Sequence, residues 1–525
     1  MKRLIWILLL LLPAVSGWTG CSDDTEAEFP NLVPGILDIE RTTEKLDYTR
    51  LDGMGHPRLL MTPEDLTAIK NRIETSADLK SLHDHIIARS EEILSLPDLE
   101  YVLTGNRLLS VSNNALFRMF YCAYAYRMTG DDRFLAKAER DINTVCGFPD
   151  WHHDHYLDVA EMAVALAIGY DWLYNELQEG TREAVHTAFE NYVFNTSDKN
   201  TDKFVDRTNN WNQVCNCGLV LSALAMYEDL PDRCRAIIER SVEANRAAVA
   251  EYSPDGNYPE GYGYWDYGTS FQVCMLAALD KIFSSDKGLS KTAGFSRTPE
   301  YMLYMVGTTG GFNYSDNDPD YGRPQIAMWW FARKYGNNSL LYHEAAKLKN
   351  GAYFAPVGSG AIYVRLLPMV MPFIADLDFS EIPAPSKKLW AGHGVAPVVL
   401  VRTGWEDAAN DRFVGIKGGT AQTSHSHMDG GSFVYDALGC RWAMDLGRDD
   451  YTTVEANMSG LWSYTQTSNR WTLLKCQNVY HNTLSLDNEL HRVSGICTIR
   501  QVYDTDKLRG ALLNTAPLYG EMVTA

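Results

Sequence analysis

The chain has no excess of positive charge: 47 Lys and Arg stand against 67 Asp and Glu, for a net charge of -20. That balance argues against a nucleic-acid partner and against a broadly basic surface that coats polyanions, although a local pocket of Arg, Lys and neutral donors can still hold an anionic substrate. The longest opening apolar run, Leu4 to Val15, is too short for a membrane helix. Ten cysteines among 525 residues are sparse. They sit in apolar helical runs (Cys122, Cys215, Cys217, Cys274) or strand-like runs (Cys440, Cys476, Cys497) and read as buried thiols rather than a disulfide framework. Cys215-Asn216-Cys217 is neither a CxxC redox pair nor a zinc knuckle. No segment repeats with a fixed period, which disfavours a regular repeat array.

What is present is a long chain, enough for two to four domains at roughly 150 residues each, with 13 Trp and 29 Tyr. Met1-Lys2-Arg3 and the apolar run after it have the form of a secretory signal. Trp18-Thr19-Gly20-Cys21 resembles a bacterial lipoprotein box. The expectation is a signal over residues 1–21, lipidation at Cys21, a polar spacer over 22–50, and an exported periplasmic or outer-membrane lipoprotein of a Gram-negative cell. Thr62-Pro63-Glu64-Asp65 then reads as an N-cap, a first-turn proline and an acidic first turn.

Helical periodicity recurs at 114–128, 132–145, 155–176, 181–192, 212–227, 233–252, 267–283, 299–306, 326–335 and 340–349. Around a dozen similar helices with short Gly, Pro and Asp turns suggest antiparallel pairs in an incomplete (α/α) toroid over 51–365. A proline-bearing linker is expected over 366–390. Short β-branched and aromatic runs begin at Ala361 to Val364 and continue at 396–403, 412–417, 432–437, 441–446, 483–486 and 497–502. They predict an antiparallel β-sandwich over 391–525, shortened at its C-terminal end.

Four stretches carry chemistry. In Ser424-His425-Ser426-His427-Met428-Asp429-Gly430-Gly431, an extended chain would put His425 and His427 on one face, though a bare HxH can equally be two loop histidines. His427, Asp445 and His481 form a His/Asp/His set of the kind that binds zinc. Arg207-Thr208-Asn209-Asn210-Trp211-Asn212-Gln213 opens an apolar helix with more amides than capping needs, at a terminus that favours anions. Glu260-Gly261-Tyr262-Gly263-Tyr264-Trp265 belongs to a tyrosine-rich, Gly-broken loop that forms either a polar aromatic wall or a stacking platform. Asp154-His155-Tyr156-Leu157-Asp158 reads mainly as the start of a core helix.

These residues resemble the heparinase II/III-like polysaccharide lyases and related alginate lyases, from about Arg58 to Leu486. The likeness is carried by Asn209-Asn210-Trp211-Asn212, the Glu260–Trp265 run, the Ser424–Gly431 run and Val479-Tyr480-His481-Asn482-Thr483. The resemblance implies a toroid followed by a sandwich, with Asn210 neutralising a substrate carboxylate and Tyr264 and His425 catalytic. It implies substrate contact by Asn209, Trp211, Asn212, Gln213, Glu260 and Tyr262. It also implies a structural zinc on His427, Asp445 and His481. Some family members carry a histidine or glutamate near Asn210, where this chain has Trp211, Asn212 and Gln213.

The implied reaction is β-elimination on an acidic, uronate-containing polysaccharide. Amides stabilise the enediolate that forms as the C5 proton leaves, and an acid and a base divide the proton transfers. A heparin- or heparan-sulfate-like glycosaminoglycan is the favoured substrate, with alginate, hyaluronan and chondroitin as alternatives. Two other classes remain: an (α/α)-barrel glycoside hydrolase, using Asp158 or Glu161 with Glu260 or Asp316, and a non-catalytic glycan-binding lipoprotein.

Overall fold

The computed structural model describes residues 44–318, 323–354 and 364–520. Cys21, the signal and most of the spacer lie outside these, as does most of the expected strand at 361–364. Helix α1 (Pro63–Ile73) starts as the sequence predicts: Thr62 and Asp65 exchange side-chain and backbone hydrogen bonds in a capping box, and Pro63 sits where no N–H is needed. Then come α2 (Ala77–Leu94), α3 (Leu109–Thr129), α4 (Asp132–Cys146), α5 (Tyr156–Leu173), α6 (Glu179–Ala188) and the single turn α7 (Asn195–Ser197). Next are α8 (Asn210–Ala225), α9 (Pro231–Ala250), α10 (Tyr262–Phe283), α11 (Thr298–Met305), α12 (Ile326–Tyr335), α13 (Tyr342–Lys349) and α14 (Val370–Ile374).

The helices form two layers because their sequences are of two kinds. Helix α5 is buried along its whole length. It is apolar on nearly every side apart from Asp158, Glu161 and Asp171, and such a helix must be enclosed. It packs between α3 and α8, and α8 packs on α10. Outer helices such as α4 bury one stripe, Phe134, Ala138, Ile142 and Val145, and turn a charged face to water. Alternation of inner and outer helices gathers the N-terminal ends of α3, α5, α8 and α10 around one cavity.

Strands β1 (Leu389–Gly392), β2 (Val398–Arg402), β3 (Phe413–Lys417), β4 (Phe433–Ala437) and β5 (Cys440–Ala443) make an antiparallel meander in that order, and β6 (Thr498–Asp504) pairs with β7 (Arg509–Asn514). Val398, Leu400, Phe413 and Val434 join the core of the helical body, so the sheet is docked on it. The chain is therefore a helical toroid followed by an antiparallel β region, the order the sequence predicts.

Several local expectations change. Tyr262 and Tyr264 stand on the first turn of α10, not on a loop. The segment read as a linker contains α14, all five residues of which are buried, and the first two residues of β1. The run at 483–486 forms no strand: Leu484 is exposed and Asn482 instead bonds the carbonyls of Phe433 and Met444. Residues 424–431 form turns and irregular backbone rather than a strand, with His425 in the left-handed region at φ 61°, so the period-two argument for the two histidines does not apply. The nine described cysteines are free thiols, most of them buried.

The close approach of α5 and α8 depends on Gly218, where a Cβ would lie 2.6 Å from the Ala160 carbonyl oxygen and 2.9 Å from its Cα. Because both are backbone atoms, the neighbour cannot rotate away. Gly218→Ala should destabilise the chain by about 1–3 kcal/mol, measured as a lower denaturation midpoint with an unchanged slope.

Candidate active site

One cavity of about 1050 Å³ opens where the inner helices begin. Arg107 and Leu109 border it at the start of α3, His155 at α5, Asn209, Asn210 and Trp211 at α8, and Tyr262, Tyr264 and Asp266 at α10. Helix N-termini present unpaired N–H groups and positive dipole ends. Their convergence makes this region attractive to anions in a chain whose net charge is -20. The opposite wall comes from the β region: Ser424, His425, Arg448, Trp462, Tyr464 and Tyr451, the first residue of α15 (Tyr451–Asn457).

His425 and Tyr264 meet across this gap. Their rings stack with centroids 3.8 Å apart and an interplanar angle of 12°. Beneath them lies Glu260, 2% exposed, whose carboxylate takes His425 Nδ1 at 2.6 Å and also accepts from Tyr258 Oη at 3.0 Å and Asn210 Nδ2 at 3.4 Å. Burial works against the charge on Glu260, but His425 prevails and holds the carboxyl below its ordinary range. With Nδ1 committed to Glu260, the other ring nitrogen of His425 is left for the cavity. The Tyr264 hydroxyl bonds Tyr451 Oη at 2.8 Å. Burial pushes the Tyr264 phenol up, which keeps it protonated.

The start of α10 is pinned by Asn317. Its side chain accepts from the Gly263 N–H at 2.7 Å and donates to the carbonyls of Glu260 and Tyr314 at 2.8 and 2.7 Å. Gly261 is required here: its φ is +85° and a Cβ would fall 2.2 Å from Asn317 Nδ2.

The second histidine faces a different set. His427 Nε2 meets Asp316 Oδ1 at 2.8 Å, and Arg470 donates to Asp316 Oδ2 at 2.8 Å. Donor atoms of buried Asp316, His427 and Cys476 lie within 4.8 Å of one another, so this cluster can hold a metal ion. His481 Nδ1 meets Asp445 Oδ2 at 2.8 Å, and the rings of His427 and His481 are 5.3 Å apart. His427 Nδ1 and His481 Nε2 are buried without partners among the described residues.

Of the residues expected to touch substrate, Asn209, Asn210, Trp211, Tyr262, Tyr264 and His425 border the cavity. Three others do not. Asn212 is buried and donates to the carbonyls of Val205 and Ala244, and Gln213 donates to Tyr252 Oη. Glu260 supports His425 from below. These polar groups tie elements together inside the toroid, since a buried amide needs protein partners. Sequence reasoning missed Tyr451, Arg470 and Cys476, and it weighed Asp316 only as a hydrolase carboxylate. No local pattern links Tyr451 to Tyr264, 187 residues away.

The architecture is heparinase-like. A solved heparinase III with methylated lysines superposes with a TM-score of 0.50 at 11% identity, over 79% of this chain and 60% of that one. A mutant of the heparan sulfate lyase HepC from Pedobacter heparinus gives 0.49 at 13% identity, over 78% and 58%. This chain spans about three-fifths of the length of those structures. No protein-family model and no curated protein matches it.

Asp266 on the cavity wall has its carboxyl pushed up to about 6 by burial, against the pull of Arg323 and Arg365. A carboxyl raised on folding stabilises the fold fully below its unfolded value of about 4, and the contribution is lost as pH rises through about 6. Asp266→Asn should therefore flatten the fall in melting temperature across that window, as read by thermal melts at stepped pH.

Proposed function

We propose that the chain is a polysaccharide lyase that cleaves a uronate-containing polysaccharide by β-elimination and leaves an unsaturated uronate end. The observation that carries this reading is the Glu260–His425–Tyr264 stack beside Asn210, set in a cleft bordered by helix N-termini. In the proposed chemistry the substrate carboxylate lies against Asn210, whose amide donates to the enediolate that develops. His425, its Nδ1–H directed at Glu260, takes the C5 proton on Nε2. Tyr264, protonated in the resting site, gives its proton to the departing O4 and is linked to Tyr451.

A hydrolase needs two carboxylates free to face one glycosidic bond. The four acids the sequence offers for that role are buried and engaged: Asp158 with His152 and His155, Glu161 with Arg365, Glu260 with His425, and Asp316 with His427 and Arg470. Of the other acids on the cavity wall, Asp154 pairs with Lys203, Asp318 with Arg448 and Glu455 with Arg107, while Asp266 has no ion pair among the described residues. The geometry therefore favours elimination. Glycosaminoglycans of the heparan sulfate type come first in a substrate screen, followed by hyaluronan, chondroitin and alginate. We place the reaction outside the cytoplasm, on the strength of the signal-like start and Cys21.

For the metal, the reading is a zinc held by His427, Asp445 and His481, bracing the His425 loop. The orphaned nitrogens His427 Nδ1 and His481 Nε2 support it, but among the described residues the donors that lie within 4.8 Å of one another are those of Asp316, His427 and Cys476, not of His427, Asp445 and His481. A soft thiolate from Cys476 with Asp316 offers a second donor set on the same histidine. Purified protein should carry about one zinc, and His427→Ala should lose it along with several degrees of melting temperature, because ligand loss costs folding free energy. Asp445→Asn and Cys476→Ser separate the two sets by metal content. A zinc-free wild type as stable as His427→Ala would refute the assignment.

Tyr264→Phe keeps the ring and its stacking but removes the acid, so kcat should fall by about 10² or more with little change in folding. Asn210→Ala should cost roughly 10² to 10³ in kcat. The measurement is the ultraviolet absorbance of unsaturated ends. Saturated products, or full activity of Tyr264→Phe, would sink the reading.

A further inference from the structure

We propose that His155 contacts substrate, and that with Trp211 and Arg207 it forms a subsite for a sugar flanking the one that is cleaved, taking an anionic group, carboxylate or sulfate, on Arg207. The proposal rests on the lyase reading for its choice of polymer.

His155 borders the cavity at the head of α5. It is held from behind by Asp158, a fully buried carboxylate whose Oδ1 takes His155 Nδ1 at 2.7 Å. The same carboxylate accepts the Leu108 N–H at 2.7 Å and meets His152 Nδ1 at 2.8 Å, so it is itself fixed from several sides. A histidine that merely fills a core has both nitrogens occupied or enclosed. Here Nδ1–H is directed at Asp158, and Nε2 is left as an acceptor toward the cavity, suited to a sugar hydroxyl. Because the ring is already oriented, binding costs little further ordering.

Trp211 stands edge-to-face with His155 at 5.0 Å between centroids. It is half-buried and follows Asn210 in the chain, so its free face adjoins the place where the cleaved sugar's carboxylate would lie. An indole face of this kind packs against the apolar face of a pyranose. The nearby cations are mostly spoken for: Arg107 pairs with Glu455, Lys203 with Asp154 and Arg448 with Asp318. Arg207 borders the same cavity, is exposed and has no ion pair among the described residues. A guanidinium with no ion pair among the described residues, bordering the same cavity as a hydrogen-bonding imidazole and an aromatic face, suits a bidentate anion on a sugar. Together the three supply a hydroxyl acceptor, a ring platform and an anion clamp.

The test compares substrate lengths. On the best-cleaved polymer, His155→Ala and Arg207→Ala should each raise KM by about 10-fold with kcat within about twofold, the scale of one net hydrogen bond or ion contact. On the shortest oligosaccharide that is still cleaved, neither variant should change kcat/KM by more than about twofold. His155→Gln should restore part of the loss, since its amide oxygen can accept the same hydroxyl. An Arg207→Ala loss confined to heparin identifies sulfate, and an equal loss on hyaluronan or alginate identifies carboxylate. An unchanged polymer KM in His155→Ala, or an equal loss on short and long substrates, would overturn the proposal. Should the wild type cleave none of these polymers, calorimetric binding of heparin, hyaluronan and alginate takes the place of kinetics. Binding weakened by both variants then sustains the subsite while the lyase reading falls, and binding unaffected or absent overturns both.

Discussion

One buried carboxylate, Asp316, ties the helical body to the β region. It is 4% exposed, and Arg470 and His427 approach its two oxygens. Desolvation alone would protonate it, but Arg470 first and His427 second hold it well below the usual carboxylate range. Its backbone N–H donates to the carbonyl of His425 at 3.0 Å, and Arg470 donates twice to the carbonyl of Ser426. The turn that carries both histidines is thus clamped on its backbone as well as on its side chains. A buried pair of this kind adds little net stability over an apolar substitute, yet breaking it costs about 3–5 kcal/mol because the other charge is stranded. It therefore specifies one docking of the two parts rather than making any docking tighter.

That docking determines whether a site exists at all. Glu260 and Tyr264 belong to the α10 entry and His425 to the sheet side, and no pair of them is adjacent in sequence. Asn317 fixes the α10 entry from the same loop that carries Asp316. One loop between α11 and α12 consequently sets the position of the tyrosine and, through two residues in succession, of the histidine facing it. The left-handed backbone at His425 follows from this constraint: the ring is brought to Glu260 while the Tyr464 hydroxyl takes the residue's N–H at 2.7 Å.

The helices were legible because their signals are local. The Thr62 capping box, the 3.6-residue stripe of α4 and the apolar run of α5 between Met162 and Tyr170 all appear within a few turns of sequence. The heads of α8 and α10 could likewise be picked out as places of chemistry, and Asn210, Tyr264 and His425 do meet there. What could not be read was direction. Asn212 and Gln213 are amides like Asn209 and Asn210 only a few residues on, yet the carbonyls of Val205 and Ala244 and the Tyr252 hydroxyl hold them inside the toroid instead of the cleft. Glu260 was visible as part of the motif, but its role beneath His425 depends on a contact 165 residues away in sequence. Tyr451 and Arg470 carried no signal, since a tyrosine at a helix start and an arginine in a loop are ordinary until their partners are known.

On the proposed lyase reading, the charge arrangement accounts for an acidic protein receiving an acidic polymer. Most cations around the cleft are matched by carboxylates that border the same cleft, so the cavity does not act as a strong positive patch. Its attraction for anions comes instead from helix N-termini and from neutral donors such as Asn210, which hold a carboxylate without a full opposing charge. That distinction matters chemically. A full cation bound to the ground-state carboxylate would stabilise substrate and transition state alike, whereas short-range neutral donors strengthen as negative charge moves onto the enediolate oxygens. On the proposed readings, a cleft of dipoles with Arg207 at its edge separates holding the polymer from activating the bond to be cleaved.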